Sequence, residues 1–297
     1  MYRSKLATIG VTTETAYGTE NAVTASDLFL AKDIVVAPEG DKIDRNLQRS
    51  FLGTMPHLIT RERVHITFTT EIRGDGSKLK PLFLACGMSE TGDVYTPVSG
   101  SFSSATLYAY FGGKLYKSLG VVGTFEVVLE AGEPGLINWD LYGLYSVPTD
   151  ATIVAGDDYE SLVPPTVESS KFTIGSYAGI VQAINVAMNN EVVQRLNVNA
   201  SWGLEGYIVA DRAVAGSLNP EEVTEATNSF WADWQAGTSK ALSVTVGRTT
   251  GNKYSIACPV AMYDSIGAAD REGVRVYEMP VSYHISSGND EITISFI

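Results

Sequence analysis

The sequence predicts a mainly β protein with a small α content: two tandem β-sandwich or barrel domains, each flanked by one helix. Three observations predict it. Short runs of alternating apolar and polar residues recur along the chain, separated by Gly, Pro, Asn and Asp. Only two stretches carry clear helical spacing, near residues 77–86 and 220–237. The first half, shifted by 150 residues, also meets matching features in the second.

Taken in order, Lys5 to Val11 reads as a short strand and Leu28 to Ala37 as a better one, stopped by Pro38-Glu39-Gly40. The polar stretch Glu39 to Pro56 is too long for a tight hairpin turn and reads as a long loop. From His57 to Ile72, Val64, Ile66 and Phe68 alternate with His65, Thr67 and Thr69, so His65 belongs to the solvent side of a half-buried strand. Ser77 to Cys86 carries Leu79, Leu82, Phe83 and Cys86 at helical spacing, and Gly87 stops it. After the Gly/Ser-rich segment Met88 to Ala105 come strands at Thr106–Phe111, Lys114–Lys117, Thr124–Glu130 and Leu136–Tyr145.

Val147 to Glu168 holds three of the eleven prolines and the pair Asp157-Asp158. It divides the chain into residues 1–150, a linker at 151–168, and residues 169–297. Strands at Lys171–Ile174 and Ile180–Met188 and a polar loop from Asn189 to Glu205 follow. Val209 to Gly237 then reads as a strand through Leu218 running into a helix, with Asn219 as N-cap, Pro220 at the first helical position, and Glu221 and Glu222 in the first turn. Phe230, Trp231 and Trp234 form that helix's sheet-packing face. The chain closes with strands at Leu242–Val246, Lys253–Cys258, Val274–Ile285 and Glu291–Ile297.

The repeat aligns Ile34, Val36 and Ala37 with Ile184, Val186 and Ala187, Gly53 with Gly203, and Gly87 with Gly237. Beyond the helix the shift becomes 138, bringing Tyr116 to Tyr254 and Val122 to Val260. The difference implies an insertion in the Gly/Ser segment of the first copy.

Composition excludes several classes. Net charge is −13, too acidic to hold nucleic acid by counterion release. No apolar run is long enough to span a membrane as a helix, and the N-terminus lacks the apolar block of a secretory signal. The two cysteines, Cys86 and Cys258, are expected as buried free thiols. His57, His65 and His284 lack metal-ligand spacing, and no GxSxG elbow occurs. GRTTGNK at Gly247 and FGGKLYKS at Phe111 superficially resemble phosphate loops but fit hairpin turns better. No catalytic, cofactor or metal residue is nominated.

One family does fit. GVTTETAYGTENAVTA from Gly10, the long polar loop, SLNPEEV from Ser217, FWADWQAGT from Phe230, GRTTGN, ADREGVRVYEMPVSY from Ala269 and the ending GNDEITISFI together resemble a tail tube protein, the major tail protein of long-tailed, siphovirus-like bacteriophages. The resemblance spans nearly the whole chain. It implies a structural virion protein, not an enzyme, whose subunits join edge strands into rings that stack into a tube. It implies a lumen that holds the tape measure protein and then passes DNA without specific binding, with tail terminator and distal tail proteins at the ends. It implies assembly in the host cytoplasm and no membrane contact. Contacts between rings are expected from Glu39, Asp41, Lys42, Asp44, Arg45, Arg49 and Phe51, and from Asn190, Glu191, Arg195 and Trp202 in the second copy. With two tube domains per chain, a trimer would give the pseudo-six-fold ring, and the acidic charge suits a lumen that repels phosphate. The competing readings are a secretion-system tube and a soluble two-domain lectin or adhesin-like module.

Overall fold

The computed structural model describes residues 6–156, 162–168 and 170–297; Asp157 and Asp158 lie outside them. The first half contains β1 (Ala7–Thr13), β2 (Leu28–Phe29), β3 (Lys32–Ile43), β4 (Leu58–Glu71), α1 (Lys80–Ala85), β5 (Met88–Thr91), β6 (Val94–Pro97), β7 (Ala105–Phe111), β8 (Lys114–Glu130), β9 (Leu136–Tyr145) and β10 (Thr149–Asp150). The second contains β11 (Lys171–Ile174), β12 (Val181–Ala187), β13 (Asn190–Leu196), β14 (Leu204–Arg212), β15 (Ala215–Pro220), α2 (Phe230–Ala236), β16 (Lys240–Val246), β17 (Tyr254–Tyr263), β18 (Gly267–Arg271), β19 (Val274–His284) and β20 (Thr293–Phe296). The protein is mainly β with little helix, as expected.

The feature that organises it is an antiparallel path β3–β4–β9–β8–β12–β15–β19–β18. Four strands come from each half. Alternation gives it two faces: Val64, Ile66, Phe68, Phe125, Trp139, Leu218 and Val281 point into the core, while Thr67, Glu126, Asp140, Asn185 and Ser217 point outward. β8 reaches two sheets because it is long. Residues up to Val121 pair with β7, whereas Glu126–Glu130 pair with β12. Outer strands cover the core: β1, β2 and β7 on the first half, and β11, β16, β17 and β20 on the second. Phe83 of α1 sits at the centre, within 4.7–6.3 Å of Tyr95, Phe125, Trp139 and Phe296, so one aromatic cluster spans both halves.

Strand register agrees between the halves at the offset of 150. Val35↔Thr67, Val36↔Ile66 and Ala37↔His65 have counterparts in Asn185↔Ser217, Val186↔Gly216 and Ala187↔Ala215, each shifted by 150. Farther out, Lys42↔Ile59 corresponds to Val192↔Val209. The one long hairpin β3–β4 is thus broken, in the second half, into β12–β15 and β13–β14. Past the helix the shift is 140, not 138: Val122↔Tyr142 matches Met262↔Ser282. A single gap misses this because two changes intervene. The first half inserts the β5–β6 hairpin, where the sequence suggested a plain Gly/Ser segment, and the second lengthens the turn between β16 and β17.

Several expected elements differ. β3 continues to Ile43, so Glu39, Asp41 and Lys42 lie on a strand and the loop proper is 44–57. The second helix begins at Phe230, not Pro220. Asn219 caps a strand instead: its Oδ1 accepts from the backbone N–H groups of Gln182 and Ala183 at 3.0 and 2.7 Å. Pro220 ends β15 beside Val181, where no donor is lost. Glu221 is drawn to Arg271 and Glu222 to Arg275 rather than to a helix N-terminus. The expected linker is partly packed. Ala151, Ile153 and Val154 lie on Tyr108 and Tyr110, and Thr166 bridges to Pro134.

Candidate functional site

The described residues hold no group of three or more His, Cys, Asp and Glu side chains placed to bind a metal ion. Cys86 and Cys258 are free and buried, and burial pushes both thiols up. A depression of about 480 Å³ on the outward face of the long sheet is lined by Asp33, Glu126, Asp140, Thr124 and Asn138, with no nucleophile and base brought together. The surfaces that stand out are two strand edges and two hairpins.

The edges belong to β3 and β18. Among the described residues each pairs on one side only, β3 with β4 and β18 with β19. An unpaired edge of this length invites another strand. Apolar residues lie beside the β3 edge, with Leu30 and Val35 about half exposed.

The β3–β4 hairpin is stiffened by charge. Arg63 donates to Glu39 and Asp41, both at 2.9 Å, and Arg61 donates to Asp41 at 3.0 Å. The two guanidiniums, Arg63 first, hold the Asp41 carboxyl below its usual range. Below them His65 contacts Asp140 at 2.6 Å and stacks on Tyr142, so it is half-buried rather than solvated. At the end of β3 Lys42 pairs with Asp44 in solvent; beyond the strand Arg45 is exposed, and Arg49 lies over the Phe51 ring and bonds to the carbonyls of Phe51 and Gly53. The tip is apolar: Leu47, Phe51 and Leu52 are 60%, 69% and 101% exposed. Three such side chains left in water form an exposed apolar patch at one tip.

The second hairpin is not a free loop. Its strands β13 and β14 lie over the ends of β8 and β9, where Leu204, Tyr207 and Val192 pack on Val122, Tyr142 and Leu144. Asn190 is buried, and its amide donates to the carbonyls of Cys86 and Gly123 at 2.7 and 2.8 Å. That makes Asn190 a pin between the halves. Glu191 and Arg195 are exposed, and Trp202 at the tip is half exposed, its carbonyl accepting from the Arg61 N–H. The helix residues also divide. Phe230 is buried among Tyr177, Tyr263 and Tyr277, whereas Trp231 and Trp234 are each 44% exposed and touch the fold through Nε1 bonds to Tyr277 and Asp264. Phe230 is the buried anchor of the helix, while Trp231, edge-on to Tyr277 at 6.2 Å, and Trp234 hold its half-exposed flank.

Two residues of the N-terminal motif do structural work that spacing alone did not reveal. Glu14 is buried and accepts from the Ser104 and Thr106 hydroxyls and the Gly18 and Gly120 N–H groups. Tyr17 accepts at its hydroxyl from the Tyr207 N–H at 2.7 Å, tying the second hairpin down, and burial pushes its pKa up to about 12. Arg212, also half-hidden in the sequence, bonds Glu291, Asn289 and the Val98 carbonyl. A buried charge with partners far apart in sequence leaves no local signature.

A long sheet with an open edge at each end and projecting hairpins is the geometry of a protein able to associate through its backbone. The chain belongs to the phage tail tube protein family: the family's model matches residues 4–296, nearly its full length. A comparison with curated proteins finds no match. The family is a structural one, not an enzyme family, and membership assigns the chain a tail tube role in the virion tail and self-association into a tube.

Proposed function

We propose that three copies of this chain close into a ring, that rings stack into the tail tube, and that the outward face of the long sheet lines the lumen. The observation that carries this is the sheet itself, with four strands from each half and an open edge at each end. Joining β18 of one chain to β3 of the next repeats around a closed ring and removes both open edges of the long sheet. Three chains would supply about 24 strands, well beyond the 16–18 that already leave an open channel. Within each chain, the two halves act as the two tube domains, at residues 1–150 and 169–297.

The proposed lumen face favours sliding over sticking. It carries Glu126, Glu130, Asp140 and Glu278 among hydroxyls and amides such as Thr67, Thr124, Asn138, Asn185 and Ser217. Its arginines are already held, Arg63 by Glu39 and Asp41 and Arg271 by Glu221. Phosphate would find repulsion there rather than counterion-releasing contacts. The tape measure protein fills the lumen before ejection, and terminator and distal tail proteins cap the ends. The first hairpin's tip, with Phe51 and Leu52, reaches the adjacent ring, while the second contributes at most through Glu191, Arg195 and Trp202. Assembly takes place in the host cytoplasm.

Electron microscopy of the purified chain with a measured ring mass tests this. Rings of three chains, stacking into tubes, are expected. Six chains per ring, or a chain that stays monomeric at high concentration, would overturn the proposal.

A further inference from the structure

The chain contains its own template for the joint between chains. Internally, the first half ends its sheet on β8 and the second half begins on β12, in the register Glu130↔Ala183, Leu129↔Ile184, Val128↔Asn185, Val127↔Val186 and Glu126↔Ala187. Just beyond, the Ala131 N–H donates to the Gln182 carbonyl at 2.9 Å. Both partners have counterparts at the open edges. β12 corresponds to β3 at a shift of 150, and both strands change register in overlapping stretches, between Lys32 and Val35 and between Val181 and Ile184, with Asp33 alone taking a positive φ, 55°. The far end of β8 corresponds to β18 at a shift of 141, because the second half adds one residue between β17 and β18 while β19 keeps the shift of 140: Val127↔Ile137 and Val128↔Leu136 match Ala268↔Tyr277 and Ala269↔Val276.

Resting on the ring reading above, we infer that the open edges join in the internal register, setting Asp33 opposite Arg271, Ile34 opposite Asp270, Val35 opposite Ala269, Val36 opposite Ala268 and Ala37 opposite Gly267 of a second copy. The Glu272 N–H then donates to the Lys32 carbonyl. The register was carried over from backbone ladders alone, yet it sets Lys32 against Glu272 and Asp33 against Arg271. Both pairs are of opposite charge. Among the described residues Lys32, Asp33 and Glu272 have no ion-pair or side-chain hydrogen-bond partner within the chain, and Lys32 and Asp33 are exposed. The internal joint carries nothing similar, since Ala183 faces Glu130 and Gln182 faces Ala131. The charges therefore distinguish the joint between chains from the joint within one, and a register slip would bring Asp33 toward Asp270 or Glu272. Directly opposed like charges on neighbouring strands destabilise a pairing.

The full chain tests this through paired cysteines, because the native thiols are buried. Val35→Cys with Ala269→Cys should oxidise into covalently linked rings. Val35→Cys with Gly267→Cys, two residues off on the same face, should link far less, because diagonal neighbours stand too far apart for a disulfide. Separately, Lys32→Glu should raise the concentration needed for ring formation several-fold, and adding Glu272→Lys should restore it; Arg271 is left alone because it already binds Glu221. Rings that link through the Gly267 variant, or a Lys32→Glu defect not rescued by Glu272→Lys, would overturn the register and leave the ring standing. A wild-type chain that forms no rings at all would overturn both.

Discussion

The tip of the first hairpin provides the most direct test of stacking. Phe51 and Leu52 are 69% and 101% exposed, so almost none of their hydrophobic stabilisation is used within the chain. Fully burying a Phe or Leu side chain contributes roughly 1.5–3 kcal/mol. If both become buried when rings stack, Phe51→Ala/Leu52→Ala removes roughly 2–5 kcal/mol from each contact, a weakening of about 30-fold to several thousand-fold. The same change should leave the isolated chain's melting temperature within about a degree or two, because exposed side chains add little to folding. Sedimentation across a concentration series, with thermal melts of the unassembled chain, measures both quantities. Tubes of ordinary length forming at the wild-type threshold would refute the contact. A large drop in melting temperature would refute the premise that these side chains are idle in the monomer.

Other expectations follow from the same reasoning. Phe230→Ala should cost about 3–5 kcal/mol in denaturant unfolding, since the ring is fully enclosed by three tyrosines, whereas Trp231→Ala should cost well under half of that. The Ser286 N–H and the Ser287 hydroxyl and N–H pull the Asp290 carboxyl down to about 2. Its contribution to stability is therefore full above about pH 4 and lost as pH falls through about 2, and an NMR titration giving an ordinary carboxylate value would refute it. Cys86 and Cys258, buried with their thiols pushed up, should not react with a thiol reagent at pH 8 until the chain unfolds.

The parts of the fold that the sequence made legible are those written in local periodicity. β4 was readable because Val64, Ile66 and Phe68 alternate with polar residues against a half-open face, and the repeat because turn glycines such as Gly87 and Gly237 must adopt positive φ in both copies. The helix start was misread because Asn219, Pro220 and two glutamates imitate a capped N-terminus. Their real partners, Gln182, Arg271 and Arg275, are brought in by tertiary structure. The second hairpin looked like a loop because Asn190, Arg195 and Trp202 are polar or bulky without alternation. What holds it is Tyr17, some 190 residues away, and a small apolar cluster on β8 and β9. Of the proposed assembly surfaces, the first hairpin was legible only as a polar stretch too long for a tight turn. The open edges were not, because an edge is defined by an absent neighbour.

On the proposed reading of the two halves as two tube domains, duplication changes what the ring has to overcome. On the proposed assembly, every second joint is made inside a chain and every other joint between chains. The internal joint is also the stronger by construction. Besides β8–β12, it has a second strand pairing, Ile294↔Tyr95 and Ser295↔Val94, made by the β5–β6 hairpin, and the Phe83–Phe296 contact beside it. The second half has no counterpart of that hairpin: Gly237 is followed within three residues by β16. The joint between chains therefore lacks the second pairing. Fewer free bodies must also be immobilised, three rather than six, and each association step loses translational and rotational freedom worth several kcal/mol. A weaker joint between chains is tolerable under those terms. It also keeps the chain soluble before assembly, since a strong, sticky edge on a free chain would pair indiscriminately. The charges at Lys32, Asp33, Arg271 and Glu272 fit that balance: they add little attraction in water but penalise a wrong register, which is what a weak joint closing a ring requires.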